Sequence, residues 1–148
     1  MGLEIERKFL VNEEQWKSVK PVSGKHILQG YLSKEIESTV RVRVKEGIGF
    51  LTVKGKNTGS KRTEFEYKIP LEDAREMLES MCDKYIDKVR YEVTFMGKVW
   101  EVDEFSSPKS GLILAEVELN SVDEKIDLPD WITSEVTDDP SYYNSNML

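Results

Sequence analysis

Thiol and imidazole are almost missing from this chain: 148 residues hold one cysteine, Cys82, and one histidine, His26. A lone thiol can build neither an internal disulfide framework nor a thiolate zinc cluster, and the expected compartment is a reducing cytoplasm. A basic excess is missing too, since 21 Lys and Arg face 28 Asp and Glu for a net charge of -7. No global positive field is therefore available to gather DNA or anionic lipid, and any anion site has to be local. Long apolar runs are absent as well. None approaches the roughly 20 residues of a membrane-spanning helix, so no membrane partner is expected, and Met1-Gly2-Leu3-Glu4-Ile5-Glu6 is too acidic for a signal peptide. With no repeat or low-complexity linker, the length predicts one domain over 1–148.

What the chain does contain is alternation of period two, the mark of strands. From Leu3 to Val11, Glu4, Glu6 and Lys8 share one face while Leu3, Ile5, Phe9 and Val11 share the other, with Arg7 the exception. Thr39 to Lys45 sets Arg41, Arg43 and Lys45 against Val40, Val42 and Val44. Arg62 to Ile69 sets Arg62, Glu64, Glu66 and Lys68 against Thr63, Phe65, Tyr67 and Ile69. Lys88 to Phe95, Val99 to Phe105 and Leu112 to Asn120 follow the same grammar, carrying Lys88 and Arg90, then Glu101 and Asp103, then Glu116 and Glu118 on their ionic faces. With Gln29 to Ser33 and Phe50 to Lys54, about eight strands result, and short connections predict a mostly antiparallel sheet. The class is mainly β (α+β). Helices are predicted at Leu71 to Cys82 and Glu13 to Val19, with a terminal one capped by Asp139 and opened by Pro140. Loops are expected at 21–24, 55–60 and 106–111.

Pattern alone leaves open whether the ionic faces meet water or line a lumen. An ordinary sandwich would put them outside. Two features favour the lumen: the charges are segregated by strand where a solubilising surface mixes signs, and eight strands close into a barrel able to hold one small ligand. The outer apolar face then needs cover, which a few flanking helices supply in part and a homodimer would extend. Ions in a lumen are costly unless paired, hydrated or occupied. Glu4, Glu6, Glu116 and Glu118 would repel one another there, and a hard divalent cation is the usual remedy; magnesium or manganese suits oxygen donors better than zinc does. Arg41, Arg43, Lys54, Lys88 and Arg90 suit phosphate oxygens.

These residues resemble a known family. Glu4-Ile5-Glu6-Arg7-Lys8 is similar to the ExExK signature of the CYTH, or triphosphate tunnel metalloenzyme, family. Gln29-Gly30-Tyr31-Leu32, Val40-Arg41-Val42-Arg43, Leu51-Thr52-Val53-Lys54, Glu64-Phe65-Glu66, Lys88-Val89-Arg90-Tyr91, Trp100-Glu101-Val102-Asp103, Ala115-Glu116-Val117-Glu118 and Glu135-Val136-Thr137 follow in the family's order. The resemblance implies a closed eight-stranded antiparallel β-barrel, the triphosphate tunnel, with two ions of magnesium or manganese. By position it implies metal ligands at Glu4, Glu6, Glu116 and Glu118, with Asp103 contributing. Phosphate binding falls to Lys8, Arg41, Arg43, Lys54, Arg62, Lys88 and Arg90, with Glu64 and Glu66 orienting basic residues or water. Glu4, Glu6, Lys8, Lys88 and Tyr31 are the expected catalytic set. His26 is read as a surface residue, Trp16, Trp100 and Trp131 as packing, Cys82 as inert. The stretch Tyr142 to Asn146 resembles the family's terminal plug helix, with a frayed tail as the alternative.

The family includes tripolyphosphatases, thiamine triphosphatases, RNA triphosphatases and class IV adenylyl cyclases, so its fold does not fix the reaction. The short chain, starting almost on its ExExK strand without an appended domain or an evident cage for adenine or thiamine, favours a small phosphate-rich anion, inorganic tripolyphosphate, over ATP or thiamine triphosphate. A non-catalytic polyphosphate or nucleotide binding module is the alternative from another class, and four clustered glutamates argue against it. A third reading leaves all the ions on the surface.

Overall fold

The structure is a computed structural model describing residues 2–148. Among them nine strands and two helices form: β1 (Gly2–Val11), α1 (Glu13–Val19), β2 (Lys25–Glu35), β3 (Ser38–Lys45), β4 (Ile48–Lys54), β5 (Lys61–Ile69), α2 (Leu71–Ser80), β6 (Ile86–Phe95), β7 (Lys98–Ser107), β8 (Ile113–Glu118) and β9 (Ile132–Glu135). The sheet runs β5-β4-β3-β2-β6-β7-β8-β1, and β5 also pairs with β1, closing an eight-stranded antiparallel barrel. β9 adds to β1 outside the ring of eight. Two of the hairpins turn on two residues of positive φ, Glu46-Gly47 (49° and 75°) and Met96-Gly97 (50° and 79°). Such turns match the twist of paired strands.

The expected strands are all present. β2 is longer than expected, because its register with β3 continues past a bulge between Tyr31 and Ser33 as far as Glu35. β9 carries no alternation legible in the sequence, for it is four residues long with one partner. The terminal helix is instead two single 3-10 turns, Pro140–Tyr142 and Asn144–Asn146, the first capped by Asp139. No helix among the described residues is long and apolar enough to cross a membrane.

Antiparallel register turns like faces the same way, so the ionic side of every barrel strand points in and the apolar side points out. Two covers bury the outer side, and a third cluster, built on inward-facing residues, closes one end. α1, entered through Asn12, whose side chain accepts from the Gln15 N–H at 3.0 Å, brings Trp16 onto Trp131 (5.1 Å between ring centroids) and Tyr91 (5.9 Å), beside Phe9 and Trp100. The indole N–H of Trp16 donates to Glu104 at 2.8 Å. α2 lays Ala74 and Leu78 on Val42. Its approach requires a bare backbone on β2, where a Cβ at Gly30 would stand 2.7 Å from the Cys82 sulfur. In the third cluster, at the end of the barrel, Val136 and Met147 pack with Ile86, Phe105 and Leu114. Arg7, the exception in β1, points outward and pairs with Glu135 of β9 at 2.7 Å.

Trp16 is fully buried, so Trp16→Ala is expected to cost about 3–5 kcal/mol, measured as a fall in the urea midpoint with unchanged slope.

Candidate active site

The inward faces enclose a cavity of about 340 Å3. Its wall takes Glu4, Glu6 and Lys8 from β1, Tyr31 from β2, Arg41 and Arg43 from β3, and Lys54 from β4. Arg62, Glu64 and Glu66 of β5, Lys88 and Arg90 of β6, and Glu116 and Glu118 of β8 complete it. Of the residues expected to act on a ligand, Asp103 is the one behind the wall. Lys45, Glu101, Asn57, Ser60, Thr137, Tyr143 and Asn144 line the cavity without having been expected there. Lys45 and Glu101 were legible from their parity, one residue pair beyond Arg43 and Asp103. The loop and tail residues obey no period and come inward only because of how their segments fold.

Five cations, Lys8, Arg41, Arg43, Lys88 and Arg90, are buried among the described residues, against one buried carboxylate, Asp103. Asp103 accepts from Arg90 Nε at 2.7 Å and Nη2 at 2.9 Å, and its Oδ2 lies 2.7 Å from Lys88 Nζ. Burial would raise its pKa, but Arg90 and Lys88 outweigh burial and hold the carboxyl well below the usual carboxylate range. This corrects its expected place among the metal ligands: both of its oxygens are taken by cations, which fits a role in anchoring the basic wall. Burial lowers Lys88 to about 7 although Asp103 resists. Burial, with Arg41 and Arg90 nearby, lowers Arg43 to about 9. Arg43 Nε and Nη2 donate to Gln29 Oε1 at 2.8 and 2.5 Å. Arg41 donates from Nη2 to Thr52 at 3.2 Å and stands 3.5 Å from Glu66, while its buried Nε has no partner among the described residues. Arg62 is already engaged, donating to the Gly55 carbonyl at 2.7 Å and to Thr39 at 2.9 Å.

The acidic wall lies across from this group. Register places Glu6 opposite Glu118 and Lys8 opposite Glu116. Glu6 is raised well above its ordinary value by burial and by the Glu116 and Glu4 carboxylates. Glu116 is lowered to about 2, where Lys8 and a hydrogen bond from Glu6 outweigh burial. The two carboxyls crowd each other, which disfavours the charged form of Glu6, while Lys8 favours the charged form of Glu116. Glu4 is held by Lys54 at 3.0 Å, and Glu64 lies 3.9 Å from the same ammonium. Burial also raises Glu101, with Arg90 opposing. No three acidic or imidazole side chains among the described residues converge on a common point. The donor set nonetheless suits a hard cation, being all oxygen, with one pair that needs a positive charge between its members.

Tyr31 reaches the cavity, and its hydroxyl accepts from Gln29 Nε2 at 3.3 Å. His26 is at the surface against Asp87 at 2.7 Å. Trp16, Trp100 and Trp131 are buried outside the lumen. Burial raises the Cys82 thiol above its ordinary value, away from the thiolate that reactivity needs.

The fold and site together define a charged-tunnel β-barrel, with a basic wall facing a carboxylate wall. The chain belongs to the CYTH domain family, which it matches over residues 2–145. The inorganic triphosphatase of Acetivibrio thermocellus is 47% identical over 149 residues, covering 100% of this chain and 94% of that protein. The inorganic triphosphatase of Nitrosomonas europaea is 32% identical over 151 residues, covering 97% and 95%. A crystal structure of an inorganic triphosphatase shares the fold with a TM-score of 0.66 at 29% identity, over 97% of this chain and 96% of that one.

Two linkages follow. A carboxyl whose folded pKa is raised costs stability above its unfolded value and nothing below it. Glu6→Gln is therefore expected to stabilise the metal-free protein by roughly 0.5–2 kcal/mol at pH 7–8, and the gain should vanish below about pH 4. Asp103 has the opposite sign, its contribution being present at neutral pH and lost as pH falls through its depressed folded value. Asp103→Asn should cost about 3–5 kcal/mol at pH 7 and progressively less in acid. Urea titrations at stepped pH measure both.

Proposed function

We propose that this chain hydrolyses inorganic tripolyphosphate to phosphate and pyrophosphate in the cytoplasm. The observation that carries the reading is a group of five buried cations at the cavity, of which Arg43 is held by a neutral amide and Arg41 keeps an unpartnered buried N–H. Burying cations without counter-ions is costly, and a polyanion entering the cavity supplies the missing charge. The 47% identical relative, an inorganic triphosphatase, supports the same substrate class. Tyr31 and Tyr143 are the aromatic residues among the described cavity lining, and they do not make an apolar slot for a nucleobase or thiazole, which favours the inorganic substrate.

In this reading Arg41, Arg43, Lys88 and Arg90 grip the phosphate oxygens, the guanidinium forks fixing orientation and Lys88 adding a point charge. Glu64 and Glu66 hold Lys54 and Arg41 in place from β5. Lys8, 3.9 Å from Glu116, sits where the basic and acidic walls meet and steadies the phosphate nearest the carboxylates. Glu4, Glu6, Glu116 and Glu118 would hold magnesium or manganese, two ions in all. Bound there, such ions neutralise phosphate charge and make water a better nucleophile near neutral pH. Without a cation there, burial and the neighbouring Glu116 and Glu4 carboxylates disfavour the charged form of Glu6. No side-chain nucleophile is required, because water would be the attacking group, and the basic wall would hold the leaving pyrophosphate.

The test is product analysis on tripolyphosphate, ATP and thiamine triphosphate with magnesium or manganese. Tripolyphosphate is expected to be the preferred substrate, with loss of turnover under a chelator. Glu116→Gln should lower kcat by about 100-fold or more, while Arg43→Ala chiefly raises KM. Preference for ATP with release of cyclic AMP would overturn the assignment.

A further inference from the structure

Arg43 on β3 and Lys88 on β6 belong to strands that do not pair with each other; β2 lies between them. Two neutral amides span the gap. Gln29, fully buried on β2, accepts both Arg43 contacts on its single oxygen, at 2.8 and 2.5 Å. Its nitrogen donates to Asn144 Oδ1 at 3.3 Å, and the same Oδ1 accepts from Lys88 Nζ at 3.1 Å. Asn144 comes from the terminal 3-10 turn Asn144–Asn146. We propose that Gln29 and Asn144 form an amide bridge that positions Arg43 and Lys88 as one anion clamp. The inference rests on the tripolyphosphate reading and names positioning residues for it.

The polarity of this chain of contacts admits one arrangement. Arginine and lysine are both pure donors, so each end of the bridge must present an oxygen. An amide offers an oxygen on one side and N–H on the other, and two amides in series give oxygen to Arg43, N–H to oxygen in the middle, and oxygen to Lys88. A carboxylate at either position would satisfy its cation but cancel its charge, and two carboxylates could not donate to one another. Asp103 already supplies one negative charge to this group, on Lys88 and Arg90. Neutral linkers therefore hold the remaining cations in place and leave their charge for a phosphate. Through Asn144 the terminal segment, which also takes a hydrogen bond from Lys8 Nζ on the Tyr142 carbonyl at 3.1 Å, becomes part of the binding machinery.

The test is a double-mutant cycle read on tripolyphosphate, as KM with magnesium and as calorimetric affinity under a chelator. Gln29→Ala and Asn144→Ala are each expected to weaken binding about tenfold with a smaller change in kcat. The double variant should be about as weak as either single one, since both break the same bridge. Gln29→Glu, of the same shape, should keep its Arg43 contacts and its Tm yet weaken binding by a similar factor, which also serves if Gln29→Ala does not fold. Losses that multiply in the double variant, or a lowered Tm with unchanged affinity, would overturn the bridge. If the wild-type protein neither binds nor hydrolyses tripolyphosphate, the functional reading falls first and takes the bridge with it. If it does both and Asn144→Ala is silent, the bridge alone is wrong.

Discussion

Repulsion among buried cations is the constraint around which the molecule is arranged. Lys8, Arg41, Arg43, Lys88 and Arg90 sit inside one small barrel with Asp103 as their buried counter-ion. Such a group persists only where a rigid scaffold denies it the chance to spread, and a sheet closed on itself is such a scaffold, since each strand is held on two sides. Each cation has its own hydrogen-bond partner: the carboxylate of Asp103 serves Arg90 and Lys88, the amide of Gln29 serves Arg43, and the hydroxyl of Thr52 serves Arg41. The strain left over is electrostatic, and a bound polyanion relieves it.

The acidic wall carries the same tension with the opposite sign. Burial and the neighbouring Glu116 raise Glu6, Lys8 favours the charged form of Glu116, and Glu4 is held by Lys54. The cavity thus joins two strained halves, each short of the charge that its own proposed ligand would bring. Stability is given up on both sides to keep the interior receptive, in the general manner of preorganised polar sites.

Much of this was legible from residue order. Alternation of charged and apolar residues in 39–45, 62–69 and 88–95 determined the strands, and collinear motifs decided that their ionic faces turn inward. Parity placed Glu4, Glu6, Arg41, Arg43, Lys88 and Arg90 on one side of the sheet, but it does not distinguish a side chain that reaches the lumen from one consumed beneath it. Asp103 shares the parity of Glu101, yet only the pairing of β6 with β7, with Arg90 opposite Asp103, shows that its oxygens are already spent. Asn144 was illegible for another reason. It lies in a single 3-10 turn with no period, and its position depends on Met147 packing against Ile86, Phe105 and Leu114, a contact between distant parts of the chain.

β1 pairs with β5 (Lys61–Ile69), β8 and β9, and those partners lie from the middle part of the chain to near its end. The barrel is therefore stitched shut by its first strand, which has to wait for partners that follow much later. Contacts of such long sequence separation make folding slow and place its barrier at ring closure. Before closure the ionic faces are open to water and the cations are far apart; after it, they are confined together. The cavity has no partly formed precursor, and a full-length chain with its barrel open carries all the residues of the cavity without their arrangement.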